Sequence, residues 1–459
     1  MSSVQTGALE RVRVYRFSPA QLLIIGFAAL ILLGSILLML PFASSTGTSV
    51  HPLDAVFTAV SAVCVTGLIV LDTPVDLSHF GQFVVLVLMQ IGGLGYMTVG
   101  TVLLVVMGKR IGLQQRMVIQ ETLSTFTMDG LVRFIFGILL FTFVVELAGS
   151  AILSVHFARS MALPKAVYFG VFHSISAFNN AGFALFSNSL MNFQTDPVVN
   201  GVILVLIILG GIGFLVYRDI LSYLRNRVYR FTLHTKVVMV TTTALTLLGW
   251  AGFWLFESQS SGAFRNLSGW NQGMTALFQS VTVRTAGFNT VDTGTLGPTT
   301  LYLFVLLMFI GGSPGSTAGG IKTTTVAIMV AAIWSTMRGR EDTTLFYRRI
   351  TSDIVAKASF LAAMAMIMVS GVTLLLLYLE GQSLLRTLFE VVSAAGTVGL
   401  STGDGGTKSF CALFSNPGKI VIMGTMFLGR IGPLAIGVSA VNRASRARYR
   451  YPRGKIMIG

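Results

Sequence analysis

The sequence predicts an all-α polytopic membrane protein: four parallel M1-P-M2 repeats, with eight transmembrane helices and four re-entrant pore helices, around a pseudo-fourfold pore. Three observations predict it. Only 11% of the 459 residues are charged and the mean hydropathy is +0.78, more apolar surface than a soluble chain can bury. Apolar stretches of the roughly 20 residues needed to cross a hydrocarbon core recur from end to end. Four short segments of one pattern, SAVCVTGL, SAFNNAGF, SVTVRTAGF and SAAGTVGL, each lie between two such stretches. Their glycines, Gly67, Gly182, Gly287 and Gly399, stand 115, 105 and 112 residues apart, so one unit of about 110 residues is used four times.

Taken in order, residues 1–18 form an N-terminal tail, the repeats occupy 19–110, 131–228, 232–340 and 352–441, and 442–459 form a C-terminal tail. The first span, 19–41, is longer than a signal-peptide core and lacks a small-residue cleavage site, so it is expected to be retained. The segment 52–63 is the informative one: twelve residues make only about 18 Å of helix, enough to enter a membrane and not to cross it. Pro52 suits its first turn. A second span follows at 80–107. Repeat two reads as a span at 132–156, a re-entrant helix at 164–178 and a span at 197–224. The corresponding segments are 232–256, 271–281 and 299–336 in repeat three, and 354–379, 383–394 and 413–441 in repeat four. Two crossings per unit return the chain to its starting side, which makes the repeats parallel.

Charge supports this topology. The formal charge of +15 could point to nucleic acid, but 23 of the 32 basic residues fall in alternate inter-span segments: 1–18, 109–133, 218–236, 338–357 and 443–455. The positive-inside rule then puts both termini in the cytoplasm of a multi-pass cell-membrane protein, with a basic face attracted to anionic membrane lipids. No nucleic-acid partner is needed. Cys64 and Cys411 are too few for a disulfide framework or metal cluster and read as free thiols.

The four loops carry the chemistry. A permeating cation must shed water, and a ring of backbone carbonyls replaces that water without burying fixed charge. Four similar loops around one axis would supply the ring. The expected carbonyls are those of Val65, Thr66 and Gly67; Asn180, Ala181 and Gly182; Thr285, Ala286 and Gly287; and Thr397, Val398 and Gly399. Glycine suits carbonyls aimed at an axis because the backbone angles required are costly with a Cβ. The C-terminal ends of the short helices, each carrying about half a negative charge, would favour a cation there. Ser61, Ser176 and Ser393 lie six residues before their glycines and Ser280 seven, and a large apolar residue follows every glycine. A single such glycine could serve helix packing alone; four aligned ones argue for a shared site.

The second span of repeat three is interrupted by GGSPGSTAGGIK. Its glycines and proline cannot continue a helix, and irregular backbone at membrane depth requires a protein or cavity environment. Gly311, Gly312, Ser313, Pro314, Gly315, Ser316, Thr317, Ala318, Gly319, Gly320 and Lys322 are therefore read as a gate beneath the ring, the alternative being a rigid kink. Arg430, inside the last span, is expected to project into the vestibule near this loop, because an intramembrane charge faces a cavity or a partner. A structural pair with a carboxylate is its alternative. Arg284 sits too near Gly287 to face the axis without repelling cations and is expected to brace the loop from behind, paired with Glu390. Solvated or packing roles are expected for Glu146 and Glu257, and a packed role for His173. GGLGYMTVG at 92–100 and GGIGF at 210–214 follow no strand, so helix packing explains them better than nucleotide binding. No nucleophile, carboxylate pair or metal constellation points to an enzyme.

With these motifs in hand, the chain resembles the membrane, ion-translocating subunit of the Ktr potassium uptake system, in the Trk, Ktr and HKT superfamily. The resemblance runs from RFSPAQLLIIGF through QIGGLGYMT, SAFNNAGF, GGIGF and VRTAGFN to GRIGPL and the terminal RYPRGKIMIG. Trk members usually carry two further N-terminal spans, whereas about 18 residues precede the first span here, which favours Ktr. In this superfamily a serine at the first filter position goes with sodium, so Gly67 favours potassium. The resemblance implies potassium-selective uptake, a homodimer, and a cytoplasmic ring of RCK-type nucleotide-binding subunits controlling the gate. No cofactor is expected in this chain; K+ is the transported ion and Na+ a candidate regulatory one. The loops 218–236 and 337–357 and the terminal RYPRGKIMIG are the expected docking and dimer surfaces. Two other readings remain open: a sodium-coupled potassium symporter, and a secondary carrier for another small solute.

Overall fold

The computed structural model describes residues 19–95, 98, 131–226, 230–259 and 263–432. Both tails, the basic segment before residue 131 and the end of the last expected span lie outside the described residues.

Among the described residues, four helices are long and apolar enough to cross a bilayer: α1 (Pro19–Met39), α4 (Leu131–Phe157), α8 (Leu233–Ser258) and α12 (Ser352–Glu380). Their outward faces are lined with exposed apolar side chains, among them Leu140, Phe143, Leu248, Ile367 and Leu374. So much uncovered hydrocarbon is stable only against lipid or a partner. Each long helix is followed by a short one: α2 (Pro52–Val63), α5 (Leu163–Phe178), α9 (Gly269–Thr282) and α13 (Leu384–Gly396). The short helices are the interior, with every residue of α13 from Phe389 to Gly396 buried. Proline in the first turn starts α2 and α5, and the Ser268 hydroxyl accepts from Asn271 N–H at the start of α9, meeting the needs of unsatisfied N-terminal donors.

A third helix closes each set: α3 (His79–Leu94), α6 (Pro197–Ile212), α10 (Pro298–Phe309) and α14 (Asn416–Ile431). Here the structure departs from the expected unbroken second spans. The segment 197–224 bends by 98° at Gly213 into a separate helix, α7 (Phe214–Arg225). In repeat three the break falls where it was expected: the loop separates α10 from α11 (Thr323–Met337). The breaks share one geometry: Gly95, Gly213 and Gly432 have φ/ψ of 80/126°, 102/140° and 87/141°, a left-handed combination that only glycine adopts easily. Three residues before each, Gly92, Gly210 and Gly429 press against the carbonyls of Val63, Phe178 and Ala395, leaving no room for a Cβ. These glycines let α3, α6 and α14 each lie directly on the end of its own short helix, as expected of GGLG and GGIGF.

Among the described residues, the expectation of an all-α chain meets one exception, a small antiparallel hairpin, β1 (Thr343–Leu345) with β2 (Arg348–Ile350), inside the basic loop between repeats three and four. Carboxylates clamp the helix ends. Glu257 at the end of α8 accepts from Thr300 Oγ1 (2.5 Å) and Gly297 N–H (3.3 Å), and Glu380 at the end of α12 accepts from Ser415 Oγ (2.6 Å). His156 at the end of α4 pairs with Asp196, the N-cap of α6, at 2.6 Å. Each clamp joins the end of a long helix to the start of the third helix in the same set.

Candidate functional site

The short helices point their C-terminal ends at one place. The chain leaves them through Cys64, Asn179, Val283 and Thr397, and two to four residues later each reaches its glycine. The four glycines meet. A Cβ placed on Gly67 would lie 2.5 Å from Ala181 O, one on Gly182 3.0 Å from Ala286 O, and one on Gly287 2.5 Å from Val398 O; one on Gly399 would strike Thr66 O. Each repeat thus abuts the next and the fourth abuts the first, closing a ring in chain order. All twelve residues named above as carbonyl donors lie in or next to this ring.

The backbone of the ring alternates. The residue two before each glycine has positive φ (Val65 56°, Asn180 57°, Thr285 83°, Thr397 50°), the residue between does not, and the glycine does again (91°, 72°, 78°, 91°). Alternating hands turn successive peptide carbonyls toward the same side, where an ordinary strand would alternate them. Three of the four non-glycine residues are β-branched, for which this region costs about 1–3 kcal/mol each. Sequence reasoning assigned the unusual angles to the glycines alone and missed these four.

Hydrogen bonds hold the loops. Ser61 Oγ accepts from Gly67 N–H and Ser393 Oγ from Gly399 N–H, both at 3.1 Å. Ser176 Oγ donates to Phe183 O (2.7 Å), and the counterpart in repeat three is Thr282, donating to Phe288 O (2.8 Å). The expected alignment of Ser280 with Ser176 is therefore corrected. Ser280 donates to Thr246 O on α8 (2.6 Å), as Ser174 does to Glu146 O on α4 (2.7 Å); the loop-bonding hydroxyl stands five residues before the glycine in repeat three and six in repeat two, which displaces the register.

Behind the ring, one further expectation is revised, the pairing of Arg284 with Glu390. Arg284 does brace its loop from behind, but it donates to Thr242 O (3.2 Å) and Thr246 Oγ1 (3.3 Å) on α8. Glu390 is engaged elsewhere, with Ser401 Oγ (2.7 Å) and Cys411 N–H (3.0 Å). Of the two roles expected for Glu146, packing is the one found: it is buried, accepting from Gln90 Nε2 and Asn179 Nδ2, both at 3.1 Å, and ties α3, α4 and the second loop together. Glu257 is likewise buried in its clamp. His173 is packed as expected, Nδ1 on Phe169 O (2.8 Å) and Nε2 accepting from Leu185 N–H (3.3 Å).

One side of the ring is open and the other obstructed. A cavity of about 380 Å³ is lined by all four glycines together with Asp72, Asp292, Arg386 and Lys408. On the opposite side the glycine-rich loop is pinned at its base, Gly311 N–H to Ile321 O (2.9 Å) and Thr323 N–H to Gly312 O (3.1 Å). Ser313 and Thr317 N–H donate to Gly211 O and Gly210 O at 3.0 and 3.2 Å, and Gly315 O accepts from Phe214 N–H at 2.8 Å. Asn180 Nδ2 reaches Thr317 Oγ1 (2.9 Å), while Gly319 presses on the Thr397 side chain. Asn180 and Thr397 belong to non-adjacent quarters, so the loop crosses the axis between them. Arg430 lies beside it as expected, donating to Thr317 O, Gly92 O and Gly93 O; its partners are carbonyls, not a carboxylate. Lys322 Nζ donates to Ala318 O (2.8 Å), stiffening the loop internally.

A family model described as TrkH, cation transport protein, matches residues 16–449. The chain is 38% identical over 449 residues to the Ktr system potassium uptake protein B of Bacillus subtilis (strain 168), covering 98% of both chains. It is 40% identical over 460 residues to the potassium/sodium uptake protein NtpJ of Enterococcus hirae, covering 98% of this chain and 99% of the relative. Its fold is similar to the crystal structure of the potassium transporter TrkH from Vibrio parahaemolyticus, with a TM-score of 0.73 at 17% identity over 96% of this chain and 88% of that one.

Proposed function

Because the chain belongs to the TrkH family of cation transport proteins, we propose that it takes up potassium across the cell membrane through one pore on the axis of the glycine ring. The observation that carries this reading is the closed ring itself, in which every quarter has the same alternation of φ. Carbonyls of residues 65–67, 180–182, 285–287 and 397–399 replace the ion's water. The four helix C-termini add partial negative charge, and the membrane potential supplies about 2.3 kcal/mol per charge per 100 mV. Buried hydroxyls of Thr66, Thr285 and Thr397 that have no partner among the described residues add donor oxygens next to the path. Four parallel repeats, two crossings each, surround it, with both termini in the cytoplasm.

The loop at 311–320, with Lys322 and Arg430, is the gate, and passage requires it to leave Asn180 or Thr397. Its release is controlled from outside the chain. The Bacillus relative is named as part of a Ktr system, which supports a partner system; the partners proposed are a second copy of the chain and an RCK-type regulatory ring docked on loops 218–236 and 337–357 and the C-terminal tail. The Enterococcus relative is named for potassium and sodium, and this favours one second reading, sodium-coupled or sodium-stimulated uptake.

Growth of potassium-uptake-deficient cells at low potassium, combined with flux into vesicles at varied sodium, tests the proposal. Potassium flux indifferent to sodium fits the channel-like reading, and flux proportional to sodium fits symport. Neither growth nor flux in the presence of the regulatory subunit sinks both.

A further inference from the structure

The 98° bend at Gly213 does more than end α6. It turns α7 away from the bundle, and α7 exposes Leu221 and Leu224 together with Arg218 and Arg225. Apolar and cationic side chains sharing an exposed face mark a helix lying in a membrane interface. Between α7 and the start of α4 is a cavity of about 350 Å³, lined by Phe134, Ile138, Phe141, Phe214, Tyr217 and Leu221, with Arg133 and Arg218 at its rim. That volume is at the lower end of the roughly 300–1,000 Å³ typical of small-molecule sites.

Two polar features have no use in the fold as described. The Tyr217 hydroxyl is buried without a hydrogen-bond partner among the described residues, an arrangement that costs free energy unless a ligand supplies one. Arg133 and Arg218 make no ion pair among the described residues, and Arg218 instead lies 5.5 Å over the Phe134 ring. A hydrocarbon-lined chamber capped by two guanidinium groups and containing one spare hydroxyl matches a single class of ligand: an acyl chain ending in an anionic phosphate ester.

We propose that this cavity binds an anionic phospholipid, its phosphate held by Arg133 and Arg218, a glycerol-ester oxygen accepting from Tyr217, and one acyl chain against Ile138 and Phe141. The occupant would sit close to the loop across the ring, because Phe214, which lines the cavity, donates to Gly315 O.

The full-length protein in mild detergent is titrated with phosphatidylglycerol or phosphatidylcholine, and retained lipid is counted by intact-complex mass spectrometry. This readout needs no ion flux. Wild type is expected to retain phosphatidylglycerol at least tenfold more tightly. Arg133→Gln with Arg218→Gln should abolish that preference, Arg218→Lys should keep part of it, and Tyr217→Phe should weaken retention a few fold. Ile138→Trp, which fills the chamber, should reduce retention of both lipids. Equal retention by wild type and the double glutamine variant would overturn the proposal. So would displacement by glycerol 3-phosphate alone, which would mean a headgroup site without a chain, or a wild type that binds neither lipid, which would leave the cavity to a protein partner.

Discussion

Gly399 stands where the fourth quarter of the ring meets the first, its missing Cβ facing Thr66 O. Alanine there has nowhere to go: the contact is to backbone, and φ of 91° adds strain of about 1–3 kcal/mol. Gly399→Ala should therefore lower potassium uptake tenfold or more while the protein still reaches the membrane and elutes as one species. Wild-type uptake by this variant would show that the ring does not carry the ion. The same reasoning extends to side chains that are not glycine. Val65, Thr285 and Thr397 hold positive φ despite branching at Cβ, so the surrounding packing imposes the ring's backbone on residues that resist it.

At the scale of elements, the loop and its latch act together. The loop is attached to the end of α6 through Gly210 O and Gly211 O, to the start of α7 through Phe214 N–H, and to α14 through Arg430. Deleting Gly312 to Gly319 should raise potassium flux tenfold or more without changing ion preference, and Arg430→Ala should act in the same direction by a smaller factor. Unchanged flux in the deletion would remove the gate from the proposal. How much of this was legible in the sequence follows from what each feature depends on. The short helices and their glycines were, because apolar length and a fixed local motif are one-dimensional signals; α2 begins and ends where its spacing put it. The breaks at Gly95, Gly213 and Gly432 were visible only as scattered GGLG, GGIG and GRIG. They lie 28, 31 and 33 residues after their ring glycines because loops of unequal length intervene, so no constant period exposes them. The partners of Arg284, Glu146 and Glu390 were not legible at all, since which carbonyl or amide meets a buried charge is decided by helix packing across repeats.

The whole molecule is closed by contacts between its first and last quarters. Lys419 Nζ on α14 reaches Asp54 Oδ1 on α2 at 3.1 Å, and both side chains are largely buried. Removing one partner leaves the other charge uncompensated, with a cost of about 1–4 kcal/mol, between the surface-pair and buried-pair limits. Lys419→Ala should lower the thermal midpoint of the purified protein by several degrees, and exchange of the two residues, Lys419→Asp with Asp54→Lys, should restore part of it. A midpoint unmoved by Lys419→Ala would place closure of the bundle in its apolar contacts alone.

That seam also orders events during synthesis. Polypeptides emerge from the ribosome N-terminus first, so the obstructing loop at 311–320 enters the membrane before Gly399 exists to complete the ring. If the ring is the proposed pore and the loop its gate, a nascent chain is never an unplugged, fully formed pore, and the cell is spared a leak from each molecule it makes.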